Sequence, residues 1–158
     1  MSAQFSAETA QQPQSAGEML AATVPMVRTL GLEFAESSAE RVVVSLPDQS
    51  AYHNHLGGPH AGAMFTLAES ASGALVVANF ADQLSRAVPL AVRAEIGYRK
   101  FAQGRVTATA VLGRPAEEVV AELDGGGRPE FSVQVTLTRE DGAVTGEMTI
   151  DWTLRPHR

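Results

Sequence analysis

Glu69 is the only charged side chain between residues 61 and 81, a stretch otherwise made of small, hydroxyl, amide and large apolar residues. If that stretch is one helix, it has no polar face, and such a helix is buried. Helical spacing sets Glu69 beside Phe65, Ser72, Gly73 and Val76. A carboxylate among such neighbours is costly to ionise, and its pKa rises unless a cation or hydrogen-bond donors offset the burial. At the wall of a cleft it is a candidate base or nucleophile. Facing another strand or subunit, it would instead be half of an ion pair with an Arg. Just ahead lies His55-Leu56-Gly57-Gly58-Pro59-His60-Ala61-Gly62. Gly57, Gly58 and Gly62 let the backbone approach a ligand closely. The first N–H groups of a helix lack intrahelical partners and favour negative charge. Aimed at a substrate carbonyl, those of Ala61 and Gly62 would make an oxyanion hole for acyl transfer. The plainer reading is a Gly-rich loop leading into a helix.

Other chemistry-bearing residues are sparser. His53, His55 and His60 lie close in sequence, but no carboxylate stands at a ligand spacing and the chain has no Cys, so no metal site is expected. Arg99, Lys100 and Arg105 flank an expected turn, where they would meet the phosphates of an anionic substrate or simply face solvent. Arg128 after Gly125-Gly126-Gly127 is a weaker candidate, since that triple Gly lacks a phosphate-loop setting. Ser70 and Ser72 are not in a nucleophile elbow.

The elements that must position these residues can be traced along the chain. Residues 1–14 are polar and read as a disordered arm ahead of a single domain over 15–158. Residues 15–30 place Met19, Leu20, Val24, Val27 and Leu30 at near-helical spacing, with Pro25 able to split the helix and Gly31 ending it. Strands are expected over 32–36 and 41–47, with Val42, Val44 and Leu46 on one face. A loop spans 52–60 and a long helix 61–80. Strand-like stretches follow at 88–98 and 105–112, then a short helix at 115–123. Phe131, Val133, Val135 and Leu137 alternate inward along 131–138, and Asp141-Gly142 turns into a last strand over 144–154. One very apolar helix amid antiparallel strands implies a sheet curled around it, an α+β arrangement of five or six strands.

Composition narrows the class. The 158 residues are 44% hydrophobic and 19% charged, suited to one folded domain. The net charge is −6 and no basic patch stands out, so nucleic acid is not an expected partner. Residues 1–9 show no secretory signal. The apolar window 61–81 is rich in small residues with Glu69 near its middle, which makes poor bilayer material. With no Cys, a reducing, cytoplasmic setting fits.

Taken together, Asn54, His60-Ala61-Gly62 and Glu69 resemble the motif of the hotdog-fold thioesterases of the phenylacetate type. There an Asn-bearing loop leads to His-Gly-Gly at the start of the central helix, with an acidic residue two turns on. Tyr98-Arg99-Lys100-Phe101-Ala102-Gln103-Gly104 is similar to the strand-turn segment that follows the helix in that family. The resemblance implies a hotdog fold and hydrolysis of acyl-coenzyme A, a small-molecule substrate, with no metal or redox cofactor. It implies Glu69 as base or nucleophile, amides near Ala61 and Gly62 on the thioester carbonyl, and Asn54 and His60 orienting carbonyl or water. Arg99 and Lys100 would meet the coenzyme A phosphates. A twofold homodimer or dimer of dimers is implied, with the site between subunits and no nucleic-acid or membrane partner. Ala61 replaces the first Gly of the motif. Gly73 stands where some relatives carry a hydroxyl, leaving Ser70 or Ser72 as substitutes. Two alternatives use the same pocket: a non-catalytic acyl-thioester binding module, and a dehydratase pairing His55 with Glu69, which lacks the expected Pro-Gly step before the helix.

Overall fold

The computed structural model describes residues 15–158, so the expected arm over residues 1–14 lies outside the described residues. Ser15 opens α1 (Ala16–Thr23) with a reciprocal capping box. Its hydroxyl accepts from the Glu18 N–H, and the Glu18 carboxylate accepts from the Ser15 N–H. Pro25 does split the first helical segment: Val24 is extended, and α2 (Pro25–Thr29) begins on the proline, whose missing N–H costs nothing at a helix start. Gly31 follows in the left-handed region at φ 62°, as a helix terminator should.

Six strands form one sheet: β1 (Glu33–Ser37), β2 (Val42–Leu46), β3 (Ala87–Tyr98), β4 (Val106–Leu112), β5 (Glu130–Arg139) and β6 (Val144–Pro156). Their spatial order is β1-β2-β4-β5-β6-β3, and every neighbouring pair is antiparallel. The expected boundaries hold to within a residue or two. A short helix, α4 (Ala116–Asp124), crosses between β4 and β5. The inward faces are the alternating positions expected: Val42, Val44 and Leu46 on β2, and Phe131, Val133, Val135 and Leu137 on β5, are all buried.

The sheet curls around α3 (Ala61–Phe80), whose Leu67, Ala68, Ala71, Ala74 and Leu75 are fully buried. Together with the turn that follows, Ala61–Gln83 is apolar and long enough to cross a membrane by composition, with a mean hydropathy of 1.4. Its burial within the chain's own sheet accounts for that character. Trp152 of β6 locks the helix in register. Its indole N–H donates to the buried Ser72 hydroxyl at 3.3 Å, which donates to the Glu69 carbonyl at 2.7 Å. The small residues of α3 therefore admit the chain's own sheet and α1.

Gly73 illustrates this. A methyl group at its Cα would lie 3.8 Å from Leu20 and 3.9 Å from Trp152, ordinary contact distances. Nothing in this packing demands glycine. Gly73→Ala is predicted to stabilise the fold by about 1 kcal/mol through helix propensity, raising Tm by roughly 2–4 °C for a chain of this size. A lower Tm in thermal unfolding would show that something outside the chain closes on this position.

Candidate active site

The loop ahead of α3 is held by its own polar groups. The Asn54 side-chain oxygen accepts from Leu56 N–H at 2.9 Å and Gly58 N–H at 3.3 Å, and Asn54 N–H donates to the Gly58 carbonyl at 2.7 Å. Asn54 therefore builds the loop with its oxygen and keeps its amide NH2 for other use. His53 pairs with Asp48 at 2.7 Å and bridges to Pro59. His60 N–H donates to the Tyr52 carbonyl at 2.7 Å.

Of the three glycines, Gly58 is required by the chain's own packing. A Cβ on Gly58 would lie 2.2 Å from the Ala102 carbonyl oxygen, so the loop backbone rests directly on the segment after β3. Gly62 faces the His60 ring, and only Gly57, at φ 76°, borders open space. His60 caps α3: its Nδ1 accepts from Gly62 N–H at 2.9 Å, and its carbonyl accepts from Met64 N–H at 3.0 Å. Of the two amides expected to face a substrate, that of Gly62 is thus taken by imidazole. The Ala61 N–H, first in the helix, has no intrahelical partner.

These groups border a cleft of about 400 Å³ lined by Asn54, Pro59, Ala61, Met64 and residues 98–102. Tyr98 and Phe101, from the strand-turn segment noted in the sequence, are thus brought to the same cleft as Met64 of α3. The Tyr98 hydroxyl donates to the Ala61 carbonyl at 3.0 Å, and Phe101 is exposed at the cleft. A contact spanning 37 positions leaves no local signal in the sequence. Of the candidate cations, Arg99 lines the cleft with a weak exposed pair to Glu147 at 3.2 Å, and Lys100 lines it with no ion pair among the described residues. Arg105 is engaged by Glu33, and Arg128 donates to Thr153.

Glu69 does not line this cleft. It lies eight residues beyond Ala61, roughly 12 Å along the helix and about 80° around it. With half-buried Phe65 and Thr66, and exposed Ala61 and Gly62, it forms the stripe of α3 that the sheet leaves uncovered. None of the ion pairs among the described residues includes Glu69. Burial alone therefore acts on it, and pushes its pKa above the ordinary glutamate value. Ser70 and Ser72 are buried, and Ser72 is spent on Trp152 and the helix backbone, so neither substitutes for the hydroxyl that Gly73 lacks. The hydroxyl nearest Glu69 on the open stripe belongs to Thr66, one turn earlier, which donates to the Gly62 carbonyl at 3.0 Å.

The sign of the Glu69 shift has a measurable consequence. A carboxyl whose pKa is raised by folding favours the folded state at low pH, and that advantage is lost as pH rises through the folded-state value. Glu69→Gln should therefore raise Tm at neutral pH. The gain should shrink as pH falls through the raised folded-state value toward the ordinary glutamate value, and should vanish below the latter, where the carboxyl is neutral in both states. A Tm lowered at neutral pH would instead reveal an ion pair completed by another chain.

Comparisons with known proteins agree with this architecture. A "probable thioesterase" of unknown function from Pseudomonas aeruginosa is 29% identical, with a TM-score of 0.79 over 90% of this chain and 94% of that one. A mutant thioesterase from the same organism is 24% identical, with a TM-score of 0.72 over 94% and 98%. A thioesterase family protein from Silicibacter pomeroyi is 23% identical, with a TM-score of 0.70 over 90% and 96%. The last two likenesses speak to the fold alone: a hotdog, an antiparallel sheet wrapped on one long helix. A search of curated proteins finds no match. The model of one family, a domain of unknown function, DUF4442, matches residues 14–154, and the chain belongs to that family.

Proposed function

We propose that this chain hydrolyses acyl thioesters, with acyl-coenzyme A as the substrate class, at a site completed by a second copy. The observation that carries the reading is Glu69: a half-buried carboxylate with no ion-pair partner among the described residues, on an uncovered stripe of a helix whose first amide has no intrahelical partner. Similar folds bear the name thioesterase, which supports a thioester as the target.

In this reading the carbonyl oxygen accepts from the Ala61 N–H at the positive end of α3. The free Asn54 NH2 and His60 orient the carbonyl or the water. A carboxylate roughly 12 Å along the same helix is too distant to serve a carbonyl held there, so the base comes from Glu69 of a second copy. It takes a proton from water as the water oxygen attacks the carbonyl carbon. The oxyanion collapses, the C–S bond breaks, and the proton passes to the departing thiolate, giving a carboxylic acid and a thiol. Arg99 and Lys100, at the cleft, meet the phosphates of coenzyme A. A second copy has a free edge to join: residues 90–95 of β3, an outer strand, are all exposed, including Leu90 and Val92.

Thiol release across a panel of acyl-coenzyme A chain lengths tests the reaction. Glu69→Gln should lower turnover by on the order of a hundredfold or more while substrate still binds. Unchanged turnover would remove Glu69 from the chemistry. Binding without turnover by the unsubstituted protein would leave a thioester-binding module in place of a hydrolase.

The shared site has its own test. Ala61→Pro deletes only an N–H, because proline is well suited to the first helical position and His60, at ψ 142°, already has the conformation a following proline requires. Ala61→Pro and Glu69→Gln should each be inactive, yet their co-expressed mixture should regain roughly a quarter of the activity, from twofold hybrids with one intact site. No recovery, or a monomer in light scattering at micromolar concentration, would overturn the two-copy site.

A further inference from the structure

We infer that Tyr98 is a positioning residue that acts through the Ala61–Gly62 peptide to hold His60 in one tautomer, with its Nε2–H available to a substrate. The inference rests on the hydrolase reading for its catalytic consequence, but its structural part does not.

The peptide unit between Ala61 and Gly62 is gripped at both ends. The Tyr98 hydroxyl donates to its carbonyl oxygen at 3.0 Å, and its N–H donates to His60 Nδ1 at 2.9 Å. A backbone N–H can only donate, so Nδ1 carries the lone pair and the proton of neutral His60 resides on Nε2. The three groups make a chain in one direction: tyrosine O–H, peptide C=O and N–H, then the imidazole and its outward Nε2–H. Each donor in such a chain polarises the next. A hydrogen bond at the carbonyl oxygen makes the N–H of the same peptide a better donor, which in turn favours the lone pair at Nδ1.

Two features say that this chain serves more than folding. A cap for α3 calls for Ser, Asp, Asn or Thr, which accept from the helix amides with a short side chain. A histidine there adds what those lack, a second ring nitrogen on the far side. Tyr98, in turn, is 50% exposed, so water would satisfy its hydroxyl without Ala61. It stands at the end of β3 on the cleft wall that also holds Asn54 and Ala61. The tie therefore runs from the outer strand to the first turn of the helix, beside the amide proposed to meet the carbonyl.

Tyr98→Phe tests the inference, read by nitrogen-15 NMR of the His60 ring at a pH where it is neutral, by Tm, and by steady-state kinetics. In the unsubstituted protein the Nε2–H form should dominate. In Tyr98→Phe the Gly62 N–H still reaches Nδ1, so the Nε2–H form should stay the major one but lose a measurable part of its excess, with Tm little changed. kcat should fall about tenfold while KM is held. An unchanged tautomer balance would overturn the inference, whatever happens to activity. A shifted balance with unaltered kcat would overturn its catalytic part. Should the unsubstituted protein lack turnover, the hydrolase reading fails on its own, and the NMR result still decides whether Tyr98 governs His60.

Discussion

Water must be kept from α3, and the rest of the molecule follows from that constraint. A twenty-residue helix with one charge has no face to offer solvent, so the sheet has to curl around it. The alternating apolar positions of β2, β4, β5 and β6 are the matching half of that requirement. Even the polar groups near the helix are enlisted: Trp152 and Ser72 satisfy each other and pin β6 to the helix backbone. What the sheet and α1 leave partly open is a narrow stripe from Ala61 to Glu69 and a short patch over Val77, Ala78 and Asn79 near the far end. Only the first joins a carboxylate to the start of the helix.

Within that stripe, a carboxylate and a helix terminus have opposite electrostatic characters. The terminus offers partial positive charge and a free donor. The carboxylate sits where ionisation is disfavoured, which brings it nearer to the proton affinity a base needs at neutral pH. Their separation along one helix keeps them from neutralising each other. A bond between them would satisfy both and leave nothing for a substrate.

Much of this is readable from local pattern. Strand alternation places Phe131 to Leu137 and Val42 to Leu46 inward without reference to anything distant, and the isolation of Glu69 in an apolar run marks it directly. Pro25 and Gly31 act through their own backbone preferences, and they end helices where expected. The loop is different. Gly58 is glycine because Ala102 lies against it, and the Gly62 amide is unavailable because His60 folds back onto it. Tyr98 matters through a carbonyl 37 positions away. The Gly58 and Tyr98 contacts have neither a periodicity nor a neighbour in sequence that would betray them, and the His60 contact depends on a ring orientation that sequence does not specify. Gly73 misleads in the other direction: a glycine inside a buried helix suggests a tight approach, yet there is room for a methyl group.

The two outer strands of the sheet are unlike, and the difference bears on how far association can propagate. β1 is five residues long, carries Glu33 and Glu36, and has an irregular register against β2 between Phe34 and Glu36. Shortness, charge and a kinked register are the features that keep a strand from templating another chain. β3 is twelve residues long and exposes apolar side chains. Two sheets joined along β3 turn only β1 edges outward, so growth stops at the pair. In such a pair the same asymmetry would guard against filaments: the longer, apolar edge would be covered, and the edge left outward would be the short, charged one.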